Sequence, residues 1–224
     1  MNRESLKQAV EWFRTHRFLF LLNSILLLIF LVPFSVDSEL GNWLIVFSLT
    51  MVIFACVFTL IEKRWVFILA SILMFAIISD FALYLIFKDE NIQLMQHGLS
   101  IIFYVLAISL VATKAMSGTD ITLETVLASL SVYLLIALTY GHAYALIENL
   151  IPNSFYYNPD ICKNCLTDFD LVYFSFTTLT TVGFGEILPV TIAAKSIVML
   201  EQVTGVLYLA AIVSRLVAGL RLRI

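Results

Sequence analysis

The chain has 224 residues, 61% of them hydrophobic and only 13% charged, with a formal net charge of −3. Its mean hydropathy is +0.99, whereas soluble domains are only about half apolar, so composition excludes an ordinary soluble protein and leaves one embedded in a membrane. The small net charge gives no ground for a nucleic-acid partner, and no nucleophile motif, phosphate loop or metal-ligand spacing points to an enzyme or a resident cofactor.

Residues 1–16 set Leu6, Val10, Trp12 and Phe13 among charges, an amphipathic stretch suited to the inner leaflet. Uncharged runs then cover Phe18 to Val36, Trp43 to Ile61, Gly98 to Thr113 and Val126 to Ile147. Two more, Trp65 to Phe87 and Ser196 to Ser214, carry one acid each, Asp80 and Glu201. At ~1.5 Å per residue such runs cross a hydrocarbon core of about 30 Å, and they predict six spanning helices. The fourth reaches full length only if it begins near Gln93. A cleaved signal peptide is the alternative for residues 1–36, but the apolar run is too long and "SVDSELG" lacks a small-x-small cleavage site.

With the N-terminus cytoplasmic, Arg3, Lys7, Arg14, Arg17, Lys63, Arg64, Lys114, Arg215, Arg221 and Arg223 fall inside. Only Lys88, Lys163 and Lys195 fall outside, so both termini are expected in the cytoplasm of a multi-pass plasma- or inner-membrane protein. "KAMSGTDITLE", residues 114–124, is the natural break in the chain. The expected organisation is therefore an amphipathic segment at 1–16, a four-helix domain at 17–115 and a second unit at 116–224.

In that second unit an outer segment, residues 151–167, precedes "DFDLVYFSFTTLT", which is too short to cross and too apolar for a loop. Thr167 and Asp170 form a capping-box pattern that starts a helix at about Asp168 and carries it about 18 Å inward, half a membrane. The chain must then return through "TTVGFGE", residues 180–186. Non-helical backbone at that depth is tolerated only when buried in protein or lining a water-filled path. Gly183 and Gly185 permit positive φ, so successive carbonyls can turn to one side. Four such columns around an axis can replace the hydration shell of a monovalent cation.

"TTLTTVGFGEILP", residues 177–189, is similar to the potassium-channel signature, and the physical chemistry of TVGYG filters is well described. Chance assembly of Thr-Val-Gly-Phe-Gly in a chain of this size is on the order of one in ten thousand. Residues 124–216 resemble the outer helix, pore helix, filter and inner helix of prokaryotic potassium channels. The resemblance implies an all-α membrane protein: six transmembrane helices, a re-entrant pore helix and an extended filter, assembled as a homotetramer that passes potassium ions passively across the bilayer. It implies that Thr181, Val182, Gly183 and Phe184 bind the permeant K+ through backbone carbonyls and the Thr181 hydroxyl, with Gly185 completing the filter. Phe184 stands where many members have Tyr, and Glu186 replaces the usual Asp. Tyr173 is expected to reach Glu186, with Thr177 and Thr178 supporting the filter from behind. Gly205 resembles the glycine at which inner helices bend, with close packing as the equal alternative, and Val206, Leu209 and Val213 are expected at the cavity or inner gate.

Glu201 is expected to be a buried carboxyl satisfied by hydroxyls such as those of Thr177 and Thr178, with ion binding or proton sensing as alternatives. Asp80 is expected to pair with His97 or His142. Cys162 and Cys165 are expected to form a disulfide, within or between subunits, with a metal site pooled by a tetramer or two free thiols as alternatives, and Cys56 is expected to pack. Glu148, Asp160, Asp168, Asp170 and Glu186 are expected to gather cations at the mouth.

The fourth helix carries no Arg, so steep voltage sensing is not expected of the first four helices. The sixth run is followed only by Arg215 to Ile224, so gating is expected from the filter, the inner helix or a separate regulatory partner. Two rival readings remain: a poorly conducting sensor or assembly subunit with the channel fold, and a coupled cation transporter using Asp80 and Glu201.

Overall fold

A computed structural model of the chain describes residues 3–31, 39–59, 64–87, 89–116, 121–157 and 166–221. In chain order these form helix α1 (Arg3–Leu31), α2 (Glu39–Thr59), α3 (Arg64–Phe87), α4 (Glu90–Met116) and α5 (Leu123–Leu150). Strand β1 (Phe155–Tyr157), helix α6 (Asp168–Leu179), strand β2 (Ile187–Pro189) and helix α7 (Ile192–Arg221) follow. Among the described residues three helical segments are long and apolar enough to cross a membrane: Asn91–Met116, Leu123–Leu150 and Ile192–Ala218. His16–Leu31 and Phe47–Thr59 are shorter apolar helices.

The element boundaries have local causes. No Pro or Gly interrupts residues 3–31, so α1 runs unbroken across residue 16 and joins the amphipathic stretch to the apolar run in one helix. Asp89 starts α4 by accepting from the Asn91 N–H at 2.8 Å, so the helix begins ahead of Gln93 and gains the length a span needs. Thr122 and Thr125 cap the start of α5 reciprocally, at 3.0 and 3.3 Å. The capping box on α6 is present: Thr167 Oγ1 accepts from the Asp170 N–H at 3.2 Å, and Asp170 Oδ2 accepts from the Thr167 N–H at 2.8 Å. Thr191 performs the same service for α7, taking the Ala194 N–H at 3.3 Å.

Contacts divide the chain into two units. The first comprises residues 1–75 and 109–132. Its α1 packs on α2, with Phe18, Leu21, Ile25 and Leu28 buried at spacings of three and four that make one helical face. Cys56 is buried on α2, as a packing residue would be. Arg17 is also buried, its guanidinium 4.8 Å from the Phe18 ring centroid.

The second unit comprises residues 76–108 and 133–224. Its core gathers Tyr144 of α5, Phe155 of β1, Leu171 and Phe174 of α6, and Ala194 and Val198 of α7. The rings of Tyr144, Phe155 and Phe174 contact one another with centroids 5.2–5.8 Å apart. β1 and β2 pair antiparallel, Tyr156 opposite Leu188, and the Val190 N–H donates to the Ser154 carbonyl at 2.8 Å. The chain after residue 186 is thereby pinned to the chain that leaves α5.

Candidate functional site

Between α6 and β2, residues 181–185 are neither helix nor strand. Their backbone alternates. Thr181, Gly183 and Gly185 lie in the left-handed region, with φ of 62°, 52° and 90°. A chain whose every second residue is left-handed no longer points its carbonyls to opposite sides, as an extended strand does, but can turn them to a common side. Two of the positions are glycine, which has no Cβ to clash. Thr181 is β-branched, and holding it there is costly, so the surrounding bonds must enforce it.

Those bonds come from the end of α6. The Thr177 carbonyl accepts from the N–H groups of Val182 at 2.9 Å and Gly183 at 3.1 Å, and the Thr178 carbonyl accepts from the Thr181 N–H at 3.0 Å. Three successive amides are drawn to the helix side. The negative end of the α6 dipole lies at the same place. Thr177 contributes through its carbonyl, while its hydroxyl donates to the Phe174 carbonyl at 2.9 Å. Val182 and Phe184 are 54% and 72% exposed, so in a single chain these apolar side chains are uncovered. A cleft of about 450 Å³, lined in part by Phe174, Thr178, Gly183, Gly185, Val198 and Gln202, adjoins the segment.

Beyond the segment, the Tyr173 hydroxyl lies within hydrogen-bonding reach of the Glu186 carboxylate, so the structure brings those two residues together. Three of the other acids expected at the mouth are engaged elsewhere. Glu148 accepts from the N–H groups of Asn153 at 2.8 Å and Phe155 at 3.0 Å. Asp170 serves the capping box, and Asp168 accepts from Gln93 Nε2 at 3.2 Å. Asp160, Cys162 and Cys165 lie outside the described residues.

Glu201 is fully buried, and its partners correct the expectation from sequence. The Tyr144 hydroxyl donates to Oε2, and the Ser175 hydroxyl reaches Oε1 while also lying 2.7 Å from the Ala137 carbonyl. The expected donors, Thr177 and Thr178, do not serve, because on α6 it is Ser175 that meets α7 at this level. Glu201 therefore ties α7 to both α5 and α6. Gly205 is a packing glycine: a Cβ there would stand 2.8 Å from both the carbonyl oxygen and Cδ1 of Leu179. The same Leu179 carbonyl accepts from the Tyr133 hydroxyl at 3.0 Å. Gly141 is equally close to α6, a Cβ meeting Val172 at 2.7 Å. Val206, Leu209 and Val213 are exposed on one face of α7.

Asp80 is buried, and its carboxylate has no hydrogen-bond partner among the described residues. The expected histidine pairing does not form, since His97 faces Asp168 at 3.4 Å and His142 at 3.2 Å. Burial by itself would push the Asp168 carboxyl up, but the nearby imidazole of His97, the bond from Gln93 and the neighbouring His142 hold it below its ordinary value.

Sequence reasoning missed Ser175, Tyr144 and Tyr133 as the partners that lock α6, and the left-handed Thr181. The first three signal themselves only as hydroxyls in apolar helices. Comparison with known proteins agrees with the region outlined by geometry. Residues 130–221 match the family model described as an ion channel. A stretch of 58 residues, 26% of this chain, is 40% identical to "Potassium channel K1" of Plasmodium berghei (strain Anka), and covers 3% of that protein's length. The chain thus spans a small fraction of that relative. No solved structure matches it.

Proposed function

We propose that this mostly helical membrane chain, whose residues 130–221 match an ion-channel domain, is one subunit of a homotetrameric, potassium-selective channel. In this reading the chain crosses a plasma or inner membrane six times with both termini cytoplasmic, and ions move passively down their gradient. Thr181, Val182, Gly183, Phe184 and Gly185 of four subunits form the filter, its carbonyls and the Thr181 hydroxyls replacing the hydration shell of K+. The observation that carries the reading is the alternation of left-handed residues at 181, 183 and 185, directly after a 12-residue helix whose terminal carbonyls take the intervening amides. The 40% identity to a protein named as a potassium channel supports the choice of ion.

Each part then has a role. α6 aims its negative end at the ion path, and Tyr173 with Glu186 steadies the outer end of the filter. Val182 and Phe184 are covered by the neighbouring subunit. Val206, Leu209 and Val213 face the inner cavity, where an aliphatic ring gates by dewetting. Glu201 acts as a brace rather than a carrier of ions.

Purified protein in liposomes with opposed potassium and sodium gradients tests this. A reversal potential near that of potassium is expected; dependence on a second ion indicates a coupled transporter, and no flux a sensor or assembly subunit. The companion variant is Gly183→Ala. A Cβ at Gly183 meets nothing within 4 Å in its own chain, so within the chain the variant perturbs only the backbone, whose φ of 52° costs an L-residue about 1–2 kcal/mol. Current should be lost while the tetramer persists; retained potassium current would overturn the reading.

A further inference from the structure

Around Glu201 the close oxygen contacts outnumber the hydrogens that hydroxyls supply. Ala137, Tyr144, Ser175 and Glu201 are all fully buried, so no solvent lends or takes a hydrogen among them. The Tyr144 hydroxyl meets Glu201 Oε2, the Ser175 hydroxyl meets Oε1, and the same Ser175 Oγ lies 2.7 Å from the Ala137 carbonyl oxygen. Each of these three contacts sets oxygen against oxygen at hydrogen-bonding separation, and each needs one hydrogen between the two atoms. Tyr144 and Ser175 bring one hydrogen apiece, and a backbone carbonyl brings none. The hydrogen still wanting has one possible carrier, the carboxyl itself.

We propose that Glu201 is a neutral carboxylic acid and a positioning residue for α6: its O–H donates to Ser175 and so fixes the turn that carries Thr177. The direction of every bond follows. The Ala137 carbonyl can only accept, so it takes the Ser175 hydrogen. Ser175 Oγ then has only lone pairs to offer Glu201, so Oε1 carries the acid hydrogen, and Oε2, the carbonyl oxygen of the acid, accepts from Tyr144. One relay thus runs from Tyr144 of α5 through Glu201 of α7 and Ser175 of α6 back to α5, with no hydrogen unused. The ionised form fares worse on two counts. Ser175 would have one hydrogen for two acceptors, leaving two oxygens lone pair to lone pair. A full negative charge would also sit beside the apolar core to which Tyr144 belongs, with hydroxyls rather than a cation as its partners. Ser175 stands two residues before Thr177, whose carbonyl accepts from the Val182 and Gly183 amides, so the relay reaches the 181–185 segment within one helical turn.

The protonation is independent of what the chain conducts; only its consequence for the filter rests on the channel reading. The experiment is infrared difference spectroscopy of full-length protein in nanodiscs at neutral pH, wild type minus Glu201→Gln, so that the other carboxyls cancel. The C=O stretch of a protonated carboxyl is separate from the bands of a carboxylate. Wild type should show that stretch and Glu201→Gln should lose it; carboxylate bands in its place would overturn the proposal. Two further variants test the direction of the bonds. Tyr144→Phe keeps the ring and removes the donor to the acid carbonyl, and Ser175→Ala removes the acceptor of the acid hydrogen. Each should move the stretch to higher frequency, and an unmoved stretch in either would overturn the relay. In liposomes, Glu201→Gln still sets an N–H beside Ser175 and Glu201→Leu does not, so potassium current should decay faster in Glu201→Leu; equal decay would overturn the positioning role. If wild type passes no current, the channel reading fails, and the infrared bands alone decide the protonation.

Discussion

Gly205→Ala separates a hinge from a packing contact by the sign of its effect on stability. A glycine that serves only to bend an inner helix has room for a methyl group, and alanine there would stabilise the helix by about 1 kcal/mol. At Gly205 the methyl carbon would stand 2.8 Å from the Leu179 carbonyl oxygen and Cδ1, when ordinary contact begins at 3.4 Å. The side chain can rotate, but the carbonyl belongs to the last residue of α6 and is held at 3.0 Å by the Tyr133 hydroxyl. Moving it stretches a bond worth about 1 kcal/mol. Overpacking of this kind costs about 1–3 kcal/mol, and because the stretched bond offsets the helix gain, the net destabilisation is about 1–3 kcal/mol per chain. Unfolding of the purified protein measures it, with Leu179→Ala as companion. Removing Cδ1 and Cγ should lessen the penalty of Gly205→Ala without abolishing it, because the carbonyl stays. On the proposed function, current should also fall, since the displaced carbonyl lies two residues before Thr181, where the proposed filter begins. A Gly205→Ala protein as stable as wild type or more so would refute the packing argument.

Three further outcomes follow from the same geometry. Glu201→Gln keeps an oxygen for the Tyr144 hydroxyl and sets an N–H beside Ser175, whose hydroxyl can donate to the Ala137 carbonyl, so it should be mild, whereas Glu201→Leu strands the Tyr144 hydroxyl at about 1–3 kcal/mol; equal unfolding midpoints would remove Glu201 as the tie between α5, α6 and α7. Tyr173→Phe removes the hydroxyl that reaches Glu186, so current should decay faster, and unchanged decay would make that contact irrelevant. Asp168 is held below its ordinary pKa in the fold, so its contribution is full above the unfolded value of about 4 and lost as pH falls through the lower folded value. Asp168→Asn should therefore flatten the acid side of the stability curve, and an identical acid limit would contradict the cause assigned to the shift.

Which parts were legible in the sequence follows from the range of the forces involved. The helix starts were written locally, in Thr167 with Asp170 and in Asp89, because a cap bonds to amides two or three residues away. The apolar runs were legible for a similar reason, since a bilayer acts on average hydrophobicity over a length. The interruption at 181–185 was visible because glycine is the residue that left-handed backbone selects. That Thr181 shares this conformation was not visible, for a β-branched residue enters the region only under bonds from the Thr177 and Thr178 carbonyls, which exist once α6 is folded against the segment.

Burial of an ionisable group announces that partners must exist without saying which they are. The sequence alone therefore determined that Glu201 lies in an apolar helix and needs partners, that the chain is membrane-embedded, and where its backbone turns back. Only the tertiary structure decided that Tyr144 and Ser175 are those partners, that Gly205 is filled by Leu179, and that His97 turns to Asp168 rather than to Asp80. The physical reason is that each choice depends on the relative rotation of two packed helices. A rotation of one residue, about 100°, replaces every partner while leaving composition and hydrophobic length unchanged.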